Sequence, residues 1–183
     1  MYNITAFGAT GSAKTNDAPY IQKAIDICSE AGGGIVYFPP GIYLSGTLVL
    51  KSNVTLYLEA GAKIVSSTCK EDFTIHKAPE HYRWKMDRCG LIYGKGIENV
   101  TIMGRGSING LDKAFWTPKN SIGEGWNSTP ARYWAKEWRP TTILLEDCRN
   151  VLIQDITIKN SPAYSCWFIN CSIFKLQRHK RIE

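Results

Sequence analysis

The first regular pattern along the chain is an apolar stripe with a period near 3.6 residues. This stripe predicts one amphipathic helix over about residues 17–31. Asn16 or Asp17 can cap its first turn, and Gly32–Gly34 end it because glycines favour backbone angles that no helix continues. Its apolar residues fall at i, i+3, i+4 and i+7: Ile21, Ala24, Ile25 and Cys28.

Beyond the helix the period of the apolar positions changes to 2. The apolar runs are short and are separated by Gly, Asn or Pro, which is typical of short β-strands. Val54, Leu56 and Leu58 are expected to face a core, while the residues between them face outward. The predicted strands are Ile35–Phe38, Ile42–Leu44, Thr47–Leu50, Val54–Leu58 and Lys63–Val65.

A strand motif that begins with Asn recurs at Asn53, Asn99 and Asn150, with offsets of 46 and 51 residues. We interpret each offset as about two coils of roughly 20–25 residues plus a loop. Cys148 and Cys171 are 23 residues apart, which indicates a single coil. Asn tolerates the left-handed backbone of a sharp corner, and its side chain can stack from coil to coil. The repeat therefore predicts a parallel β-solenoid, and it also explains the glycosylation-like sequons at two of these asparagines.

A solenoid exposes the backbone edge and apolar interior of its first coil, and the helix over about residues 17–31 is placed to cap that end. The alternative fold is an open α/β sheet. That fold needs a helix after nearly every strand, whereas the pattern predicts one helix.

Residues 110–139 interrupt the repeat and are expected to form a long excursion from the coils. Trp134, Trp138 and Arg139 are our candidate substrate-binding residues, since aromatic rings stack on sugars and loops on a rigid scaffold often bind ligands. For the two tryptophans, simple packing of the loop against the solenoid is an equally open interpretation. Packing is favoured for Trp116 and Trp126.

Composition excludes several classes of protein. With 183 residues, 44% hydrophobic and 21% charged, the chain is neither collagen-like, disordered nor a disulfide-dense miniprotein. It lacks an apolar run of about 20 residues and a signal-like start, so we expect a cytoplasmic chain without a membrane partner. The net charge of +6 permits an anionic partner. Much of the excess lies in the last nine residues without a recognition motif, so nucleic acid is not expected.

The six cysteines form no C-x-x-C pair and have no His at zinc-ligand spacing. The sequence therefore predicts no metal site and no cofactor. We expect buried free thiols.

An ordered series of short motifs closely resembles the amino-terminal part of the polygalacturonase family, the family 28 glycoside hydrolases. The resemblance runs from about Ile4 to Ser172. It implies a right-handed parallel β-helix that hydrolyses α-linked galacturonic acid in pectic chains, with inversion and without a metal. The motifs are Phe7-Gly8-Ala9, the block Gly32–Tyr43, Gly46–Ser52, Leu91-Ile92-Tyr93-Gly94, Gly104–Gly110, Arg139-Pro140 and Asn160–Tyr164.

The chain departs from this family in two places. Ile108–Asp112 reads Ile-Asn-Gly-Leu-Asp where the family usually has Ile-Asp-Gly-Gln-Gly. Ile173-Phe174 replaces the expected Asn-Val, and the family's Asn-Thr-Asp, Asp-Asp and His-Gly motifs do not occur in the chain. We therefore expect residues 1–172 to be part of one β-helix domain that is incomplete at its C-terminal end, and residues 173–183 to form an aberrant polar tail.

Inverting hydrolysis needs two carboxyl groups about 6.5–9.5 Å apart. Glu146 and Asp147 are adjacent on a strand, so their side chains should diverge. Asp112 and Asp155 have simpler explanations in a loop and on a solvated strand, and His76 and His81 lack a triad pattern. We expect no catalytic residue in this chain.

The main hypothesis is a truncated piece of a polygalacturonase-like hydrolase whose partner is pectic polysaccharide or oligogalacturonide, from a parent that could be secreted. The alternative is a noncatalytic β-helix module that binds acidic polysaccharide.

Overall fold

The computed structural model describes residues 1–77, 87–118, 133–135 and 138–177. For residues 117–118, 133–135 and 173–177 it describes the backbone alone.

The N-terminal segment folds over one end of the coils. It comprises β1 (Tyr2–Asn3), a 3-10 turn (Ile4–Phe7), β2 (Ser12–Asn16) and helix α1 (Ala18–Glu30). The four apolar side chains of the predicted stripe are fully buried on the face of α1 toward the first coil. The predicted capping helix is confirmed, and the burial of its apolar stripe explains why it stays on the solenoid.

The two residues before α1 stabilise its N-terminal end in different ways. The Oδ1 atom of Asn16 accepts a hydrogen bond of 2.9 Å from the amide of Ala18, as a capping side chain does. Asp17 makes no side-chain cap. Its buried carboxylate accepts the amides of Thr10 and Gly11, at 2.8 and 3.1 Å, and so fixes the preceding turn against the helix.

Each coil consists of three short strands that belong in turn to sheets A, B and C. Coil one contains β3 (Gly34–Phe38), β4 (Gly41–Ser45) and β5 (Leu48–Val49). Coil two contains β6 (Val54–Leu58), β7 (Ala62–Ser66) and β8 (Gly90–Lys95). Coil three contains β9 (Glu98–Gly104) and β10 (Ser107–Asn109), then an antiparallel pair, β11 (Trp116–Pro118) and β12 (Tyr133–Ala135), and then β13 (Thr141–Glu146). Coil four contains β14 (Arg149–Gln154), β15 (Thr157–Lys159) and β16 (Cys166–Ile169), and β17 (Ser172–Gln177) follows it. Two further 3-10 turns lie between strands, at Lys70–Asp72 and Asp112–Phe115.

All three sheets are parallel, and each neighbouring strand comes from the next coil. Sheet A runs β1-β3-β6-β9-β14-β17, sheet B runs β15-β10-β7-β4-β2, and sheet C runs β16-β13-β8-β5. The fold is the predicted right-handed parallel β-helix. The alternative of an open α/β sheet is wrong, because the described residues contain one α-helix and three sheets that share one core. In β6, Val54, Leu56 and Leu58 are buried as predicted.

The predicted asparagine stack is present at the corner that opens sheet A. Asn53, Asn99 and Asn150 all have a left-handed backbone, with φ of 63°, 57° and 49°. The amide of Asn99 donates to Asn53 at 2.9 Å, and the amide of Asn150 donates to Asn99 at 2.8 Å. The ladder thus holds three coils in register.

The interpretation of the 46- and 51-residue offsets as two coils each is wrong. Strand β6 pairs directly with β9, and β9 pairs directly with β14, so each offset is one coil. The extra residues lie in two excursions, residues 67–89 (the first excursion) and residues 110–140 (the second excursion). Cys148 and Cys171 are one coil apart as predicted, because Arg149 pairs with Ser172.

The first part of the segment predicted as an aberrant polar tail, residues 173–177, belongs to a strand. Strand β17 pairs with β14 in register through Gln177. Parallel pairing uses backbone groups and tolerates Ile173-Phe174 in place of Asn-Val, since both residues favour strands. Residues 178–183 lie outside the described part of the chain.

All six cysteines are free thiols. Cys28, Cys89 and Cys148 are buried as predicted, Cys166 and Cys171 are half-buried, and Cys69 is exposed. Burial raises the pKa of Cys89 and Cys166 to about 11, so both stay protonated at neutral pH.

Candidate functional site

The segments that connect sheet B to sheet C leave the coils at one corner. The first excursion joins β7 to β8, the second joins β10 to β13, and residues 160–165 join β15 to β16. Because equivalent corners of successive coils stack, these segments lie above one another along one side of sheet C. The fold therefore collects its loops at this sheet, and loops on a rigid scaffold are the usual place for binding.

The strands of sheet C alternate between the core and the outer face. Ile92 and Ile143 pair in register and face the core. The next register row, Tyr93, Leu144 and Trp167, faces outward, and so do Lys95 and Glu146 two residues later. This outer face is the candidate site.

The first excursion folds back over the outer face at β8. His76 and Arg88 form an antiparallel bridge in which the amide of each donates to the carbonyl of the other, at 2.7 and 2.8 Å. The imidazole of His76 stacks on the ring of Tyr93, with 3.8 Å between centroids. An Nη2 atom of Arg88 lies 3.3 Å from an oxygen of Glu146. The excursion thus covers the outer face with one ring stack and one ion pair.

The Arg88–Glu146 pair is buried, with 5% and 7% of the two side chains exposed. Lys95 lies 4.0 Å from the other oxygen of Glu146 and is mostly exposed. Among the described strand residues of sheet C, Glu146 is the one carboxylate, and it is held between these two cations. Burial lowers the pKa of His76; Glu146 opposes this shift, while Arg88 and Lys95 add to it. The imidazole is therefore neutral near pH 7.

The outer face is open at β16. The rings of Tyr164 and Trp167 lie 5.2 Å apart, and Tyr164 is 60% exposed. The carbonyl of Tyr164 accepts the amide of Thr142 at 2.9 Å, and the Oγ1 of Thr142 is 2.8 Å from the Oγ of Ser161. These bonds fix the aromatic pair to the neighbouring coil. Two tilted rings with an exposed surface can accept the apolar face of a sugar ring.

The second excursion contributes a cation, Arg139, that is linked to residues 160–165 through Trp116. The guanidinium of Arg139 lies 4.8 Å above the ring of Trp116, and the indole N–H of Trp116 donates to the carbonyl of Pro162 at 3.1 Å. These two contacts link Arg139 through Trp116 to residues 160–165, the segment that contains Tyr164.

The candidate residues from the sequence take different positions. Trp138 is half-buried between Phe73 and Phe115, with ring centroids 5.3 and 5.1 Å away, and so joins the two excursions. Trp134 lies in β12 opposite Thr117, but its side chain is outside the described set, as is all of Trp126. The substrate-binding roles of Trp134, Trp138 and Arg139 stay predictions. Trp116 packs the second excursion onto residues 160–165.

The carboxylates considered as a catalytic pair have separate partners. Glu146 faces Arg88, whereas Asp147, at the next corner, accepts the amide of Asn170 at 2.7 Å. Asp112 accepts the amide of Lys113, and Asp155 accepts the side chain of Gln154. His81 lies outside the described residues. The part of the chain that the structure describes contains no group of three metal-ligating side chains, and none of its helices is long and apolar enough to cross a membrane.

The sequence analysis missed the aromatic pair at Tyr164 and Trp167. A signal was present, since the alternation in β16 places Cys166 and Phe168 toward the core and Trp167 outward. It also missed the first excursion, whose described contacts His76–Tyr93 and Arg88–Glu146 join residues 17 and 58 positions apart.

Comparison with known proteins agrees with this architecture. Residues 1–165 match the family described as Rhamnogalacturonase A/epimerase, pectate lyase-like. The chain belongs to this family. A probable polygalacturonase of Arabidopsis thaliana is 25% identical over 175 residues, which are 93% of this chain and 32% of the relative. Alginate lyase 7 of Azotobacter vinelandii is 48% identical over 61 residues, which are 29% of this chain and 7% of the relative.

The fold also matches solved structures of this architecture. An exopolygalacturonase from Thermotoga maritima superposes with a TM-score of 0.73 at 24% identity, over 97% of this chain and 46% of that one. This chain thus spans about a third of the plant relative's length and less than half of the bacterial structure.

Proposed function

We propose that the protein binds galacturonan, the acidic chain of pectin, on the open part of the outer face of sheet C. The aromatic pair Tyr164–Trp167 carries the proposal, because it offers exposed rings for sugar stacking on the face where the loops gather. Arg139 supplies a cation for the carboxylates of the polymer. The family, and the polygalacturonases among its relatives, support a pectic polymer as the ligand.

We further propose that these residues bind the polymer without hydrolysing it. Inverting hydrolysis requires a protonated carboxyl group and a second carboxylate about 6.5–9.5 Å away. On the described strands of sheet C the one carboxylate is Glu146, and it is occupied by Arg88 and Lys95. The chain would then contribute binding coils to a polygalacturonase-type hydrolase, with the acid pair on coils outside the 183 residues.

The test is a calorimetric titration of the full chain with oligogalacturonide. Tyr164→Ala removes the exposed ring, and we expect binding about 2–12-fold weaker, equivalent to 0.5–1.5 kcal/mol for one aromatic contact. Arg139→Gln should weaken binding and reduce its dependence on salt. Tyr57→Ala is the matched control, because Tyr57 stacks on Tyr37 on the outer face of sheet A, away from the site. The proposal would be refuted if Tyr57→Ala weakened oligogalacturonide binding as much as Tyr164→Ala, or if Tyr164→Ala left binding unchanged.

A second candidate ligand is alginate, another polymer of uronic acids. The 48% identity to an alginate lyase over 61 residues favours it. Titration with oligoalginate under the same conditions distinguishes the two. Tighter binding of alginate than of galacturonan would favour the alternative of a binding module for a different acidic polysaccharide.

A further inference from the structure

Two cysteines occupy the same position in neighbouring coils, at the corner that joins sheet C to sheet A. Cys148 ends coil three, between β13 and β14, and Cys171 ends coil four, between β16 and β17. The amide of Ser172 donates to the carbonyl of Cys148 at 2.9 Å, and the strands that follow the two cysteines pair in register. Coils three and four alone therefore set the two cysteines side by side.

This corner brings the two sulfur atoms together in the core. Cys148 is fully buried, and Cys171 packs against the same core cluster. The thiol of Cys148 interacts directly with that of Cys171. Equivalent residues of neighbouring strands lie about 4.8 Å apart. Disulfide bonds span Cα separations of about 4.4–6.8 Å, so the spacing of two coils suits a disulfide.

Both thiols can lose their hydrogens without leaving a buried carbonyl unpaired. The thiol of Cys148 donates to the carbonyl of Glu146 at 3.1 Å. The thiol of Cys171 donates to the carbonyl of Ile169 at 3.4 Å. Each of these carbonyls also accepts a backbone amide of the preceding corner at 2.9 Å. Those amide bonds remain when the sulfur atoms join, so oxidation avoids the cost of an unsatisfied carbonyl.

We infer that Cys148 and Cys171 form a disulfide bond in an oxidising environment and thereby close coil four into a covalent ring. The oxidant is a small disulfide such as oxidised glutathione. The thiolate of one cysteine attacks it and releases one reduced glutathione, and the thiolate of the other then attacks the mixed disulfide and releases a second. Two electrons and the two thiol protons thus pass to glutathione. Burial raises the pKa of Cys148 in the folded chain, so we expect the bond to form during folding.

The experiment refolds the wild-type chain from urea in a buffer of oxidised and reduced glutathione. Free thiols are then alkylated, and the linked peptides are identified by mass spectrometry. We expect the peptide that contains Cys148 to be linked to Cys171. Folded protein with both of these thiols alkylated, or with either of them linked to another cysteine, would overturn the inference.

Cys166 provides a matched control, because it lies in the same coil as Cys171 but pairs with Ile143. Cys166→Ser should retain the bond, whereas Cys171→Ser should leave Cys148 free to be alkylated. Loss of the bond in folded Cys166→Ser would contradict the assignment to Cys171.

Closing coil four should also stabilise the fold, because the bond restricts the unfolded chain. Oxidised wild type is expected to have a urea midpoint roughly 1 M higher than the same protein reduced with dithiothreitol. Folded Cys171→Ser should show no such difference. Equal midpoints for linked and reduced wild type would overturn the stabilising role of the bond, and this comparison needs no variant.

Discussion

The ion pair between Arg88 and Glu146 allows a quantitative test of how the first excursion is held on sheet C. Arg88→Met keeps an unbranched side chain but leaves the carboxylate of Glu146 buried without that cation. Removing one member of a buried pair typically costs about 3–5 kcal/mol. Lys95 at 4.0 Å compensates weakly because it is mostly exposed, so we expect a loss near the lower end, about 3 kcal/mol.

The assay is urea unfolding followed by tryptophan fluorescence. Adding Glu146→Leu to Arg88→Met should restore most of the stability, to within about 1 kcal/mol of wild type, because both charges are then absent. Lys77→Met should cost at most about 1 kcal/mol, since the Lys77–Asp87 pair is exposed. A loss below about 1 kcal/mol for Arg88→Met, or a double variant as unstable as the single one, would refute a buried, mutually dependent pair.

Three further predictions concern stability. Asn99→Ala should lower the free energy of unfolding in urea by about 1 kcal/mol more than Asn99→Gly does. Both changes remove the hydrogen bond of the ladder, but glycine adopts the left-handed backbone of the corner without strain. Equal losses of stability would contradict this. Trp138→Ala should cost roughly 2–3 kcal/mol in the same assay, less than a fully buried tryptophan, and a loss below about 0.5 kcal/mol would exclude its packing role. Burial lowers the pKa of His76, so as the pH falls the unfolded chain binds a proton at this histidine before the folded chain does. The contribution of His76 to the free energy of unfolding is therefore lost as the pH falls below about 6.5. His76→Phe keeps the stack on Tyr93, and it should show a smaller drop in urea midpoint between about pH 7.5 and pH 5.5 than wild type; an equal drop would contradict it.

The parts of the fold that depend on local pattern could be predicted from the sequence. The period of two in Val54–Leu58 matches β6, and the apolar stripe matches the buried face of α1. The asparagine ladder followed from a backbone preference and a repeat. The number of residues per coil could not be predicted from the sequence, because an excursion lengthens a coil without changing the strand motif at either end. Strand pairing alone shows that residues 53 and 99 are one coil apart.

The candidate site could be predicted only in part. Arg139 was selected from its place in an aromatic excursion, and its guanidinium stacks on Trp116, which bonds to Pro162, two residues before Tyr164. The burial of Glu146 could not be predicted, because its partner Arg88 is 58 positions earlier and lies in a segment without periodicity. Trp138 has an aromatic side chain of the kind expected in a sugar-binding site. Its ring nevertheless packs between two phenylalanines that the coils bring together. Long-range contacts of this kind leave no periodic signal in the sequence.

The most direct measurement is a crystal structure of the full chain with a bound oligogalacturonide. We predict a sugar ring stacked on Tyr164 or Trp167 and a carboxylate within hydrogen-bond distance of Arg139. A saccharide bound on sheet A or sheet B, with the aromatic pair left free, would contradict the proposed site.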